Sequence, residues 1–250
     1  MSNPTCAIII IGNEILSGRT QDANIQFIAR RAAERGLNLA EIRVIPDIPA
    51  RIIATVNELR AAFDLVFTTG GIGPTHDDIT SECIAAAFGM PWEIHQPTFD
   101  LMQARMGAEA FNTARQRMAT MPRGAVPIEN AISLAPGFSI GNVHVMAGVP
   151  RIMQAMFMAL EPSLPQGTPI IMRTVHGIGV MEGSIAAGLS AIQDSFSGID
   201  LGSYPFRRGA EGGVAIVAKG TDITALDAAI AQASALIAAQ KITPIPGEPG

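Results

Sequence analysis

Three stretches of this 250-residue chain place acids beside small residues just after an extended run. The first holds Gly12, Asn13, Glu14, Ser17, Gly18, Asp22 and Asn24, and the second is Pro46-Asp47. The third is Thr69-Gly70-Gly71-Ile72-Gly73-Pro74-Thr75-His76-Asp77-Asp78-Ile79-Thr80. Gly70, Gly71 and Gly73 leave backbone N–H groups uncovered directly ahead of a helix start, where fixed partial positive charge suits a phosphate. The alternative is a tight strand-to-helix turn that simply requires glycine. No Lys follows, so the loop is not a Walker A motif, and the third glycine of the dinucleotide fingerprint is missing.

The acids carry the second part of the chemistry. Taken singly, Asp22 and Asp78 read equally as helix caps, and Glu14 and Asp47 as solvated loop acids. Together, Glu14, Asp22, Asp47, Asp77 and Asp78 would be a cluster. Two carboxylates roughly 5 Å apart repel by about 3 kcal/mol at an effective dielectric of 20, so such a cluster must hold a proton or a cation. Oxygen donors without nearby Cys or paired His favour a hard divalent ion such as Mg²⁺. An ion between the acids and the glycine amides would clamp a di- or triphosphate.

These residues must be positioned by an alternating strand–helix pattern. Residues 6–11 form a continuous β-branched run, as in a strand buried on both faces of a parallel sheet. Ile25, Ile28, Ala29 and Ala32 then follow helical spacing behind Asp22, and Gly36 ends that helix. Strand 39–45, a helix opened by Pro49, strand 65–68 and a helix over 79–88 complete the first part. Segments 97–106 and 111–121 read as helical, 138–146 as a hairpin turning at Gly141-Asn142, and 150–160 as a methionine-rich helix. Proline and glycine concentrate over 161–169, which sets a boundary between a domain at 1–165 and a small α+β domain at 168–243. In the latter, strand 170–176, helix 182–196, strands 200–206 and 213–219 and helix 223–239 suit a split βαβ layer. The tail from Pro244 is expected to fray. The fold class is α/β, and ligands in such sheets bind beyond the carboxyl ends of the strands.

Composition narrows the function. Apolar residues make up 48% and charged residues 16%, which excludes a disordered chain. The net charge of -5, with no basic stripe, argues against nucleic-acid binding. No export signal and no apolar run of spanning length is visible, so a cytoplasmic protein without membrane contact is expected. Cys6 and Cys83 read as reduced, buried thiols. His76, His95, His144 and His176 lack metal-ligand spacing; Ser17 has no base partner for a hydrolase triad. Arg115 and Arg151 read as phosphate ligands or as surface arginines.

At this point a family comes into view. The stretch Thr69–Thr80 resembles the signature loop of the molybdopterin-binding, MoaB/MogA-like domain. Gly12-Asn-Glu-Ile-Leu-Ser-Gly18 with Asp22-Ala-Asn24 is similar to the opening of the competence/damage-inducible protein CinA, as is the order of Asn112, Arg115-Gln116, Pro122, Gly124-Ala125 and Ala135-Pro-Gly137. The similarity extends through Ile178-Gly179 and Gly202-Ser-Tyr-Pro205. The resemblance implies a three-layer α/β/α domain that binds a pterin or nucleotide phosphate, usually in homo-oligomers, with a second smaller domain. By position, Asp47 and Asp78 match acids implicated in MogA-type function. It also implies phosphate contacts from Thr69, Gly70, Gly71, Gly73, Thr75, Ser17, Gly18 and Asn24, and metal contacts from Asp47, Asp77, Asp78, Glu14 and Asp22. CinA-type domains are linked to metal-dependent cleavage of ADP-ribose, and a relative in eukaryotic FAD synthase to FAD cleavage.

Two departures matter. Full-length CinA carries a further nicotinamide mononucleotide deamidase domain without counterpart in this sequence, so deamidation is not expected. The family's Pro-Gly-x-Pro-x-Glu-Met stretch reads Ala147-Gly-Val-Pro-Arg-Ile-Met153, with Ala147 for proline and Ile152 for glutamate. Three functions share the implied cleft: hydrolysis of a nucleotide pyrophosphate, binding of molybdopterin without turnover, and adenylyl transfer to molybdopterin.

Overall fold

The computed structural model describes residues 2–107, 109–209 and 211–249. It divides into two compact units, Met1–Gly167 and Thr168–Gly250. In the first, strand β1 (Thr5–Ile11) leads into a single helical turn α1 (Asn13–Leu16), then α2 (Asn24–Arg35), β2 (Asn38–Ile45), α3 (Pro49–Ala62), β3 (Leu65–Thr69) and α4 (Thr80–Phe88). An excursion follows: β4 (Trp92–Ile94), α5 (Gln96–Met106), α6 (Thr113–Gln116), β5 (Thr120–Pro122) and β6 (Val126–Ile128). The hairpin β7 (Gly137–Ile140) and β8 (Val143–Met146) and helix α7 (Pro150–Leu160) close the unit.

The main sheet runs β2-β1-β3-β8-β7-β6. Its first four strands are parallel, and β7 and β6 are antiparallel to their neighbours. Because β1 is covered on both faces, its β-branched residues divide by alternation. Ala7, Ile9 and Ile11 pack with Ile52, Val56 and Leu59 of α3 and Cys83, Ile84 and Ala87 of α4. Cys6, Ile8 and Ile10 pack on the other face with Ile28 and Ala32 of α2 and Met153, Met156, Phe157 and Leu160 of α7. Met153 and Met156 of α7 are therefore core, while Met158 is exposed. The result is three layers, helix–sheet–helix.

Local signals worked where they were local. Gly36 (φ 74°) and Gly89 (φ 65°) close α2 and α4 in the left-handed conformation. Gly141 turns the β7–β8 hairpin at φ 55°, while the Asn142 side chain donates to the carbonyls of Arg60 and Phe63. The helix expected over 111–121 is corrected: only Thr113–Gln116 is α-helical, and Thr120–Pro122 is a strand paired with Trp92–Ile94. The 161–169 segment is not a free linker, because the Arg35 guanidinium donates to the Leu164 and Pro165 carbonyls and Gly167 N–H to Arg35 O.

The second unit holds β9 (Ile171–Ile178), α8 (Glu182–Ser195), β10 (Ile199–Arg208), β11 (Glu211–Gly220), α9 (Ile223–Ala239) and β12 (Ile245–Pro246). Its sheet order is β10-β11-β9-β12, so β11 is inserted between the two strands joined by α8, a split βαβ. Both helices pack on one face through Ile185, Ile192, Leu226, Ala229, Ala233 and Ile237. The tail is held rather than frayed over 245–247: Ile245 and Pro246 pair with β9, Gly247 N–H donates to Thr174 O, and His176 Nδ1 lies 2.7 Å from Gly247 O. Among the described residues no helix is long and apolar enough to cross a membrane.

Candidate functional site

The chain leaves β1 toward β2 on one side and later returns with β3 on the other, so strand order reverses beside β1. A cavity of about 560 Å³ opens beyond the carboxyl ends of β1, β3 and β8. Such a volume suits a small ligand. Its polar wall is Glu14, Thr20, Gly71, Gly73 and Asp78, and its apolar wall includes Met118, Pro136, Ala147, Val149, Ile152 and Met156.

The glycines have distinct jobs. Gly70 (φ 105°) continues the β3 ladder, its N–H donating to Met146 O, and a Cβ there would meet Ile11 O at 2.0 Å. Gly71 (φ 68°) accepts from Thr80 N–H, and a Cβ there would strike Thr80 Oγ1 at 2.2 Å. At Gly73 a Cβ would lie 2.6 Å from Asp78 Oδ2. The N–H groups of Gly71, Ile72 and Gly73 have no acceptor among the described residues. These three amides, at the cavity wall, are what an anion would meet.

Several of the groups expected to contact phosphate already have partners within the protein or are buried. The Gly70 amide is engaged by Met146 and so cannot cradle a ligand. Thr75 gives its N–H to Asp78 Oδ2 (2.8 Å) and its hydroxyl lies 2.5 Å from the same oxygen and 2.6 Å from Asp77 Oδ1. Thr69 is buried in β3. Ser17 Oγ donates to Glu14 O and Gly18 (φ 71°) ends α1, so both serve a local turn. Asn24 is buried and donates from Nδ2 to Gly148 O at 2.8 Å. Gly148 in turn abuts Gly70, so Asn24 positions the cavity floor.

The acids are only partly gathered. Asp47 follows β2 and accepts the Asn13 N–H at 2.9 Å, which tethers it to the β1–α1 loop. Burial raises its pKa above the usual carboxylate range, the Asn13 hydrogen bond opposes this, and the charges of Glu14 and Asp77 add to the rise. The Thr75 hydroxyl holds Asp77 below that range. Glu14 folds back over Gly12, where a Cβ would meet its Oε1 at 2.6 Å. Asp22 accepts the Ile25 N–H at 2.8 Å and caps α2, away from the cavity wall. The expected five-acid cluster is therefore not assembled, because Asp22 and Asp78 are turned toward nearby backbone N–H groups. Among the described residues no three His, Cys, Asp or Glu gather closely enough to hold a metal ion.

The histidines lie elsewhere. His76 is solvent-exposed, and His95 accepts the Thr98 N–H at the start of α5. His144 is buried 2.8 Å from Ser139 Oγ, its pKa pushed down to about 4 by burial. Arg115 is also local, donating to Ala110 O. Sequence reasoning missed Thr20, Met118 and Ser133 in the cavity wall, and Trp92 and Arg117 in a recess adjoining it. These come mostly from the irregular excursion, where periodicity carries no signal.

Residues 7–166 match the family described as a probable molybdopterin binding domain. The chain belongs to this family. Residues 169–245 match the middle domain of FAD synthase. A protein of Pyrobaculum calidifontis is 32% identical over 212 residues, covering 81% of each chain. A CinA-like protein of Anaeromyxobacter is 36% identical over 149 residues, covering 57% of this chain and 36% of its own length. The crystal structure of CinA from Thermoplasma acidophilum superposes with a TM-score of 0.61 at 32% identity, covering 64% of this chain and 98% of that one. The chain is a CinA-type molybdopterin-binding domain protein with a MoaB/MogA-like α/β fold and a smaller second domain. Ala147 and Ile152, the two residues that depart from the pattern expected by resemblance, both lie in the cavity wall and make it apolar there.

Proposed function

We propose that the first unit binds a phosphorylated pterin or nucleotide in this cavity. The single observation that carries the reading is the row of unengaged amides at Gly71, Ile72 and Gly73 opposite an apolar wall. The amides would receive phosphate oxygens, and a planar ring would lie against Ala147, Val149, Ile152 and Met156. The name of the matched family, and of the FAD synthase domain matched by the second unit, supports the same ligand class.

A second reading, hydrolysis of a nucleotide pyrophosphate of the ADP-ribose or FAD class, is favoured by Asp47. A raised pKa suits a carboxylate to take the proton of a water attacking phosphorus, with AMP as one product. The residues fit a divalent ion only as a site completed by substrate. Mg²⁺ is commonly held by one or two carboxylates plus substrate phosphates rather than by a protein cage, and Asp47 with the neighbouring Glu14 would supply that number. When bound, such an ion would neutralise charge on the phosphates.

Calorimetry with AMP, ADP-ribose and FAD, with and without Mg²⁺, tests binding; chromatographic detection of AMP tests turnover. Binding of none of these removes the proposal. Equal AMP release by wild type and Asp47→Asn removes the catalytic reading.

A further inference from the structure

We infer that Arg117 and Trp92 form a second anion subsite beside the glycine loop, and that it selects ligands bearing a diphosphate over the corresponding monophosphate. The inference rests on the reading of the Gly71–Gly73 amides as the first phosphate position. A small recess adjoins the main cavity and shares Ile72, Gly73, Asp78, Met118 and Pro136 with it. Its remaining wall includes Arg117, Trp92 and Ser81. The two spaces thus meet at Gly73, so a group extending past the first phosphate enters the recess.

The recess is built to hold its cation. Ser81 Oγ donates to Thr120 O at 2.9 Å and accepts the Trp92 indole N–H at 3.0 Å, which fixes the ring between α4 and the β4–β5 ribbon. The Arg117 guanidinium lies 5.6 Å from the centre of that ring, within range of a cation–π interaction. Among the described residues its side chain makes no hydrogen bond or ion pair, although it is half-buried. Asp78, the acid sharing the recess, accepts from Thr75 instead. A preoriented guanidinium with no acceptor is the group that takes two phosphate oxygens in a fork. The recess measures only about 20 Å³, roughly one water-sized centre, so it excludes a ring and admits the edge of a compact anion.

Trp92 is the sole tryptophan, so its emission reports occupancy of the recess directly. Wild type, Arg117→Ala and Arg117→Lys are titrated with AMP and with ADP, following Trp92 emission and, in parallel, calorimetric heat. Wild type is expected to bind ADP more tightly than AMP and to change emission only with ADP. Arg117→Ala should weaken ADP by about 10- to 100-fold, the range expected for a charged hydrogen-bonding partner, and leave AMP within about 2-fold. Arg117→Lys should keep part of the preference, since a point charge replaces a fork. If AMP binds and the variants treat ADP as wild type does, the subsite is wrong and the binding function stands. If AMP and ADP weaken together in Arg117→Ala, the arginine is structural and selection by it is refuted. If wild type binds neither, both the subsite and the proposed function fall.

Discussion

Replacing Gly70 with alanine tests whether this glycine is dictated by backbone geometry or by a ligand. Its φ of 105° lies where an L-residue is strained, and the added Cβ would stand 2.0 Å from Ile11 O. That oxygen belongs to the central strand β1, held by β2 on one side and β3 on the other, so it cannot retreat without disturbing two ladders. The conformational cost is about 1–2 kcal/mol and the overlap adds about 2–3 kcal/mol, together about 3–5 kcal/mol. For a unit of this size each kcal/mol moves the melting temperature by about 2–4 °C, so a fall of about 6–20 °C is expected. Gly18→Ala is the matched control, since φ is 71° there but nothing lies within 4 Å of the added Cβ. It should fall by only about 2–8 °C, the cost of the dihedral alone. Trp92 lies in the first unit and reports its unfolding specifically. A Gly70→Ala protein that melts within about 2 °C of wild type would refute the steric reasoning.

The remaining expectations concern titratable groups. Asp47 is raised mainly by burial, so its ionisation opposes folding: the carboxyl is fully compatible with the fold below the unfolded pKa and becomes a liability as pH rises through its folded value. Asp47→Asn should therefore gain in melting temperature relative to wild type between pH 3.5 and pH 7, and an unchanged difference across that range would count against it. His144 has the opposite sense, since its folded pKa of about 4 lies below the unfolded value. Its contribution is present above about pH 6.5 and is lost as pH falls toward 4, about 3 kcal/mol in all. Denaturant midpoints for His144→Gln should show a shallower acid loss than wild type; parallel curves would exclude His144 as its source. Burial pushes the Cys6 thiol up to about 12 and Cys83 to about 11, so both should resist alkylation at pH 8 until denaturant is added. Rapid native labelling of either would contradict their burial.

Wherever a residue's role depends on its immediate neighbours in the chain, pattern sufficed. The β-branched run of β1, the left-handed glycines 36, 89 and 141, Pro49 at the start of α3 and the bounds of α9 follow from propensity and period, which act over a few residues. The motif at 69–80 likewise marked the glycine loop that leads from β3 to α4. What chain order did not disclose was which of those atoms remain available. The Gly70 N–H faces Met146, and the Asp22 and Asp78 carboxylates turn toward nearby N–H groups; hydrogen-bond allocation of this kind depends on strand register and loop closure. Within the excursion after α4, the helix over 97–106 was legible, but 111–121 was misread as one helix because the strands Thr120–Pro122 and Trp92–Ile94 are three residues each and exist only through pairing with each other. That pairing brings Trp92, Arg117 and Ser81 to the recess. Local physics thus laid down the scaffold and the loop, while long-range pairing chose the groups that face the cavity.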